Sequence, residues 1–425
     1  DKVYRDAARH FQRHQQTLKE TGKPLKDIPH RSFAKGSPLR SLATLTPYSF
    51  DKMAWEKKIK NLSSVFLKHP GILYSSVIVT FTEGHKYLVN SEGVVAKIPF
   101  RDASFLCIGQ LKSADGEFVI DQVRHRATLP DELPSELQLQ EEINAMISRI
   151  ENQLKTPRFE EEYSGPVLLT GAVVADVFSA MLFSNAEGIS ASNFIPGLTG
   201  YQFNRNSSSM DNKIGKGLYS NLMTVKAKPK LKSYNGVNLL ASFDIDDEGI
   251  VPPSELIIVE NGVLKNLLND RTITHESQVA NGFSSGPGVV EITLASKNTD
   301  NALKQKLIAR AKDEGLEYGL MIKQSAALMG IVNVFKIYVA DGREELARNA
   351  FFDEMNLKMF KRMIAASEKY QAHNLNGSNF NGGEGGTTLS IIVPESVMFQ
   401  EMEIRPFDMP TLKEEEYVSN PLVKN

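Results

Sequence analysis

The sequence is poor in the features that announce whole classes of function. It holds one cysteine, Cys107, among 425 residues. A single thiol excludes an intramolecular disulfide and any cysteine-rich zinc site. Its flanks in Ser104-Phe-Leu-Cys-Ile are apolar. The expectation is therefore a buried, inert side chain, since a reactive thiolate needs a basic neighbourhood. Charge of neither sign prevails: 49 Lys and Arg stand against 51 Asp and Glu, a formal net charge of −2. No Lys/Arg block stands out either, so no nucleic-acid partner is expected. No run of about 18 apolar residues occurs, so no membrane-spanning helix is expected. There is no internal repeat, and no Gly-x-Ser-x-Gly elbow with a plausible His partner. The Gly-rich loop Gly377–Gly386 lacks a lysine before Thr387, which separates it from a phosphate-binding loop.

What is present is an ordinary globular composition, 41% hydrophobic and 24% charged. The length predicts roughly two to three domains. Residues 1–21 are predicted helical, followed to about Pro47 by a connection rich in Pro, Ser, Lys and Gly. Ser49 precedes a helix carrying Trp55, Ile59, Leu62 and Phe66 at helical spacing, stopped by Pro70-Gly71. From Ile72 the period becomes that of strands: Ile72–Thr82, His85–Asn90, Val94–Ile98, Ala103–Lys112 and Glu117–Arg126. Glu83-Gly84, Glu92-Gly93 and Asp115-Gly116 are the predicted turns of an antiparallel meander. A helix at about 135–155 presents Ile143, Ile147, Ile150 and Leu154, and Ser135 with Gln138 suits a capping box. The polar stretch 153–165 is the expected domain boundary.

After it come a strand at Val167–Leu169, a helix at 172–184 and a Gly/Ser/Asn-rich stretch at 185–217 without a period. Strands are predicted at 218–227, 255–260, 263–269 and 289–294, with Asn261-Gly262 as a hairpin turn. A helix at 301–314 ends on Gly315. Strands at 316–323 and 331–340, the Asp341-Gly342 turn, a short helix near 356–369 and a final strand at Thr387–Pro394 complete the reading. The fold class is α+β: an N-terminal α/β domain over 1–160, with a meander and flanking helices, then a β-rich domain over 165–425.

Few residues suggest metal chemistry directly. His10 and His14 lie four apart on one helical face, but no carboxylate sits between them as in a zincin motif. His275-Glu276 begins such a motif, yet Val279 stands where the second histidine belongs. Asp244, Asp246, Glu248, Gly249 and Glu255 nearly match a calcium loop. Pro252 and Pro253 inside it, and a strand after it, favour an acidic turn. Asp244, Asp246, Glu248, His275 and Glu276 are kept as a weak candidate for a groove or cation site.

Several ordered segments carry a resemblance. Gly165-Pro-Val-Leu-Leu opens the second half. Ser242-Phe-Asp-Ile-Asp-Asp-Glu-Gly249, Leu256-Ile-Ile-Val-Glu-Asn-Gly-Val-Leu-Lys-Asn-Leu-Leu-Asn-Asp270, Lys306 to Leu316 and Ile391 to Ile404 follow, with Asn90-Ser-Glu-Gly93 earlier. Each is weak alone, but their order over about 165–405 resembles the TldD/PmbA family, named for modulation of DNA gyrase and for zinc peptidase activity. The likeness is greatest to its long, often signal-bearing bacterial branch. The chain begins at Asp1 without Met and is expected to lack residues at its start. The compartment stays open between a bacterial cytoplasm and, had a signal been removed, an extracytoplasmic space.

The resemblance implies an α/β first domain and a β-rich C-terminal domain, assembling as a dimer. Competent members hold zinc with the two histidines of an HExxxH helix and a later cysteine, and the motif's glutamate serves as general base. They are linked to processing of small peptides, and PmbA-like members without ligands pair with a TldD-like subunit. Aligned on Glu187-Gly188, the helix here puts Ser179 and Ser184 at the histidine places and Ala180 at the general base, and no cysteine follows Cys107. Serine hydroxyls are poor zinc ligands, and alanine accepts no proton. The expectation is a non-catalytic subunit without catalytic residues or cofactor of its own. It is expected to form a homodimer, or a heterodimer with a TldD-like subunit that alone holds zinc, and to take a peptide ligand. The alternatives are a peptidase with a non-standard site and a non-enzymatic binding module.

Overall fold

The computed structural model describes residues 2–20, 33–112, 118–153, 155–183, 210–271, 279–325, 331–353, 355–376 and 388–407. Helix α1 (Lys2–Glu20) precedes strand β1 (Leu39–Leu42) and helix α2 (Lys52–Ser64). α2 starts from Asp51, whose carboxylate accepts the Ala54 N–H at 2.9 Å, two residues after the expected Ser49. Of the predicted stripe, Trp55, Leu62 and Phe66 are buried and Ile59 is half-buried.

β2 (Ile72–Val89) and β3 (Val94–Lys112) are two long strands, where four short ones were expected. Glu83-Gly84 is not a turn. Gly84 lies opposite Phe100 in the ladder, and a Cβ there would sit 2.9 Å from the ring. The glycine marks a close approach inside a strand. Pro99 likewise interrupts nothing. Leu39 N–H bonds Gly93 O, and Ala43 N–H bonds Lys97 O, so odd-numbered backbone groups of β3 face β1. Pro99 is next in that series and has no N–H to give, so the β1 ladder ends there while β3 continues. β4 (Phe118–Ala127) pairs β3 from Ala103 onward. The expected Asp115-Gly116 turn lies outside the described residues.

The β2–β3 arm also changes the face it buries. Ala103, Phe105, Cys107 and Leu111 are buried against α2 and α3 (Glu136–Gln153), with Leu139, Ile143, Met146, Ile147 and Ile150. The capping box at Ser135 and Gln138 is formed, with N–H···O distances of 3.3 and 3.1 Å. Toward the arm's tip the buried residues are instead Val94 and Ala96. There the arm meets the 246–250 loop, where a Cβ on Gly249 (φ +82°) would lie 2.7 Å from Val94.

The rest is built around α4 (Ala172–Phe183). Its strands are β5 (Tyr163–Thr170), β6 (Met223–Ala227), β7 (Ser233–Tyr234), β8 (Val237–Asn238), β9 (Leu256–Glu260), β10 (Val263–Leu264) and β11 (Val289–Leu294). After helix α5 (Asp300–Asp313) come β12 (Tyr318–Ser325), β13 (Ile331–Tyr338), β14 (Glu344–Phe352), β15 (Met363–Ala366), β16 (Tyr370–Asn376), β17 (Thr388–Pro394) and β18 (Ser396–Pro406). One six-stranded sheet has the order β10-β9-β6-β11-β17-β16. The other has the order β14-β13-β12-β5-β18-β15, and a further β14–β18 pairing closes five strands into a ring. α4 lies between the two sheets, against β5 and β12 on one side and β16 and β17 on the other. A helix so placed must be apolar nearly all round, which Val173, Val174, Val177, Phe178, Met181 and Leu182 satisfy.

The helix expected near 356–369 is not one. Leu357–Arg362 forms a short 3-10 stretch, and β15 follows, pairing Ala365 and Ala366 with Met398 and Val397. Sheet pairing and burial of Met363, Ala365 and Ala366 override their helical propensity. β14 and β16 were not foreseen. Asn261-Gly262 (φ 48° and 80°) and Gly315 (φ 71°) adopt the expected turn and cap conformations. Among the described residues, no helix is long and apolar enough to cross a membrane.

Candidate functional site

The least buried stripe of α4 is Ala172, Asp176, Ala180 and Phe183, spaced as one helical face. Gly171 (φ 73°) ends β5, and the Val174 N–H returns to its carbonyl to begin the helix. Asp176 is the only charged residue of α4. One turn on, Ser179 is buried at 6% exposure and Ala180 is half-buried beside it.

β16 runs along this helix. Its alternation sends Leu375 into the core around α4 and Ala372 to the opposite face. Gln371 and His373 share the Leu375 face. The Nε2 atoms of Gln371 and His373 are buried without a hydrogen-bond partner. Burial pushes the His373 imidazole below its ordinary value, and the nearby Asp176 carboxylate partly opposes this. Partial desolvation lowers the guanidinium of Arg124, an exposed residue of β4 whose Nε donates to Gln122 Oε1 at 2.8 Å, and the same carboxylate raises it. The site thus gathers a carboxylate, a neutral imidazole, an amide and a guanidinium from three distant stretches of chain. These groups can hold and orient polar groups of a ligand.

Sequence reasoning missed Asp176, Gln371, His373 and Arg124. The available signal was the period-two pattern Gln371, His373, Leu375, hidden because two of these three inward residues are polar.

The family model for the PmbA/TldA metallopeptidase C-terminal domain matches residues 161–405. The chain belongs to the PmbA/TldD family. Two solved structures share the fold. One is a candidate modulator of a DNA gyrase from Thermotoga maritima, 13% identical, with a TM-score of 0.57 over 88% of this chain and 80% of that one. The other is a candidate modulator of DNA gyrase from Bacteroides thetaiotaomicron, also 13% identical, with a TM-score of 0.54 over 91% and 79% of the two chains. No curated protein matches the chain.

The PmbA/TldD model carries a metallopeptidase name, so the fit of the residues to a metal matters. On α4 the described side chains offer one carboxylate, Asp176, one hydroxyl, Ser179, and one thioether, Met181, and this donor set does not fit a catalytic zinc ion. Among the described residues, no three His, Cys, Asp or Glu side chains come together as a metal site. Ser184, Glu187, His275 and Glu276 lie outside the described residues.

The acidic turn is accounted for residue by residue. Asp246 is fully buried and caps its own loop: Oδ1 accepts the N–H groups of Glu248 (3.0 Å) and Ile250 (2.8 Å), and Oδ2 that of Ser284 (3.2 Å). The Glu248 carboxylate accepts the Arg271 N–H at 2.7 Å; burial raises it, and that hydrogen bond opposes the rise. Asp244 is exposed and pairs with Lys232 at 3.4 Å. The three share a loop but serve different partners. Arg271 completes the joint by donating to Ala34 O and pairing with Glu92 of the Asn90–Gly93 turn. Cys107 is fully buried, and burial pushes its thiol up to about 12.

Proposed function

We propose that this chain is a non-catalytic subunit of a peptide-processing assembly of the PmbA/TldD type. One observation carries the reading. At the helix between the two sheets, where zinc chemistry would need imidazoles and a general base, Ser179 and Ala180 stand. The fold around that helix is retained, with Asp176, Gln371, His373 and Arg124 as polar groups for a ligand. Hydrolysis then belongs to a TldD-like partner with intact ligands. Metal analysis and peptide hydrolysis by the pure protein test the reading. The expected outcome is no stoichiometric zinc and no turnover until such a partner is added. Stoichiometric zinc, with hydrolysis lost on chelation, overturns it.

A further inference from the structure

β2 is an edge strand of the first sheet, with β3 as its one strand partner among the described residues. Even-numbered backbone groups of β3 face β2, as the bond from Asn90 N–H to Val94 O at 3.2 Å shows, and even-numbered residues of β2 stand opposite them. The register is regular from Tyr74 to Val89. The odd-numbered residues from Ser75 to Val89 therefore turn their N–H and C=O groups away from the sheet. Among the described residues none of these outward groups has a hydrogen-bond partner. α2 packs on the sheet face to which Val77, Val79 and Phe81 point.

Long exposed edges normally carry a defence such as a proline, several lysines or a bulge. From Tyr74 to Val89, β2 has no proline and no bulge. Its one lysine, Lys86, is drawn to Asp247 at 2.9 Å, and its one carboxylate, Glu83, to Arg101 at 2.9 Å. Apolar side chains instead stand exposed near both ends: Tyr74 and Ile78 at one, Tyr87 (72%) and Val89 (74%) at the other. An antiparallel copy of β2 centred on Thr82 complements this pattern. It sets Val77 opposite Tyr87 and Ser75 opposite Val89, lays Ile78 against the stem of Lys86, and meets each outward N–H with a carbonyl. A parallel copy in register would set Glu83 against Glu83 and Lys86 against Lys86.

We propose that β2 pairs antiparallel with β2 of a second copy about a two-fold axis at Thr82, joining two four-stranded sheets into one. Main-chain hydrogen bonds along the edge hold the copies, and the apolar side chains at both ends fix the register. No residue of α4 takes part, and no metal is needed.

The test is the mass of the full chain in solution, by light scattering, together with cysteine cross-linking. Twice the monomer mass is expected. Ser75→Pro with Tyr87→Pro removes two outward N–H groups and leaves the β3 ladder whole, so the dissociation constant should rise at least about tenfold. Thr82→Cys should cross-link under mild oxidation, because at the axis the two Cα atoms lie about 4.5 Å apart, within disulfide reach. Thr80→Cys should not, its copies being about 14 Å apart along the strands. The buried Cys107 contributes no background. Should the proline variant not fold, the two cysteine variants decide alone. A monomer up to about 100 µM, cross-linking at Thr80 as readily as at Thr82, cross-linking at neither, or a dimer unmoved by the two prolines overturns the inference. None of these readouts involves zinc or hydrolysis, so failure here and failure of the subunit reading are seen separately.

Discussion

Burial keeps the imidazole of His373 below its ordinary value of 6.5, even with Asp176 pulling the other way. Above that value the ring is neutral in both folded and unfolded chains, and its contribution to stability is complete. As the pH falls below it, the unfolded chain takes up a proton that the fold resists, so stability is lost toward the lower folded value. Thermal unfolding between about pH 8 and pH 5 should show this slope, and His373→Gln should flatten it. An unchanged slope would place the titrating group elsewhere. Cys107 gives a second expectation. With its thiol buried and raised to about 12, a maleimide should label it only when denaturant opens the first core. The sequence was explicit about Cys107, because a thiol with apolar neighbours on an alternating strand has one reading. It was silent about His373. β16 reads Tyr370-Gln-Ala-His-Asn-Leu-Asn376, and the surroundings of its polar residues are set by distant parts of the chain. Asn374, for example, accepts hydrogen bonds from Ser390 and Leu240. Asp176 was equally hidden, as one carboxylate in an apolar run.

Among the elements, local chemistry is strongest in turns and caps. The Asn261-Gly262 turn, the Gly315 cap and the Ser135/Gln138 box could be read directly because each depends on a few adjacent residues. Gly262→Ala tests the first. Its φ is +80°, and a Cβ would lie 2.6 Å from the carbonyls of Tyr219 and Ser220, backbone atoms that cannot swing aside. A loss of at least about 1–3 kcal/mol is expected in denaturant unfolding. Where an element depends on distant pairing, sequence reading failed. Gly84 and Pro99 look like breaks, yet the first fits beneath Phe100 and the second points its missing donor to the edge where the β1 ladder stops. Residues 356–369 look helical, yet β18 recruits Met363–Ala366 as a strand. The apolar helix α4 was legible. Its place between two sheets was not, since that depends on strands far along the chain.

Across the whole molecule, the two halves meet where the Asn90–Gly93 turn touches the 246–250 loop. Both segments had been singled out in the sequence for another reason, their resemblance to a family pattern. Arg271 is the common partner, with a side chain 14% exposed and bonds to Ala34 and Glu92. Arg271→Ala should cost about 1–3 kcal/mol, because Glu92 and the Ala34 carbonyl lose a charged donor. Calorimetry should show the N-terminal part unfolding earlier than the rest; a single undisturbed transition would mean the joint is held by apolar contacts such as Val94 against Gly249.

The ring closed by β14 and β18 bears on how the protein is made. β5 emerges from the ribosome early, but its antiparallel neighbour is β18, and Ser164 finds Glu401 across 237 residues. Until the last strand appears, β5 has one unsatisfied edge and the apolar bed of α4 stays uncovered. Contacts of that span are slow to form, and the waiting chain is open to mispairing. Synthesis would therefore leave the second half unfinished until β18 is made, and chaperones would find their clearest target in the nascent chain between β5 and β18.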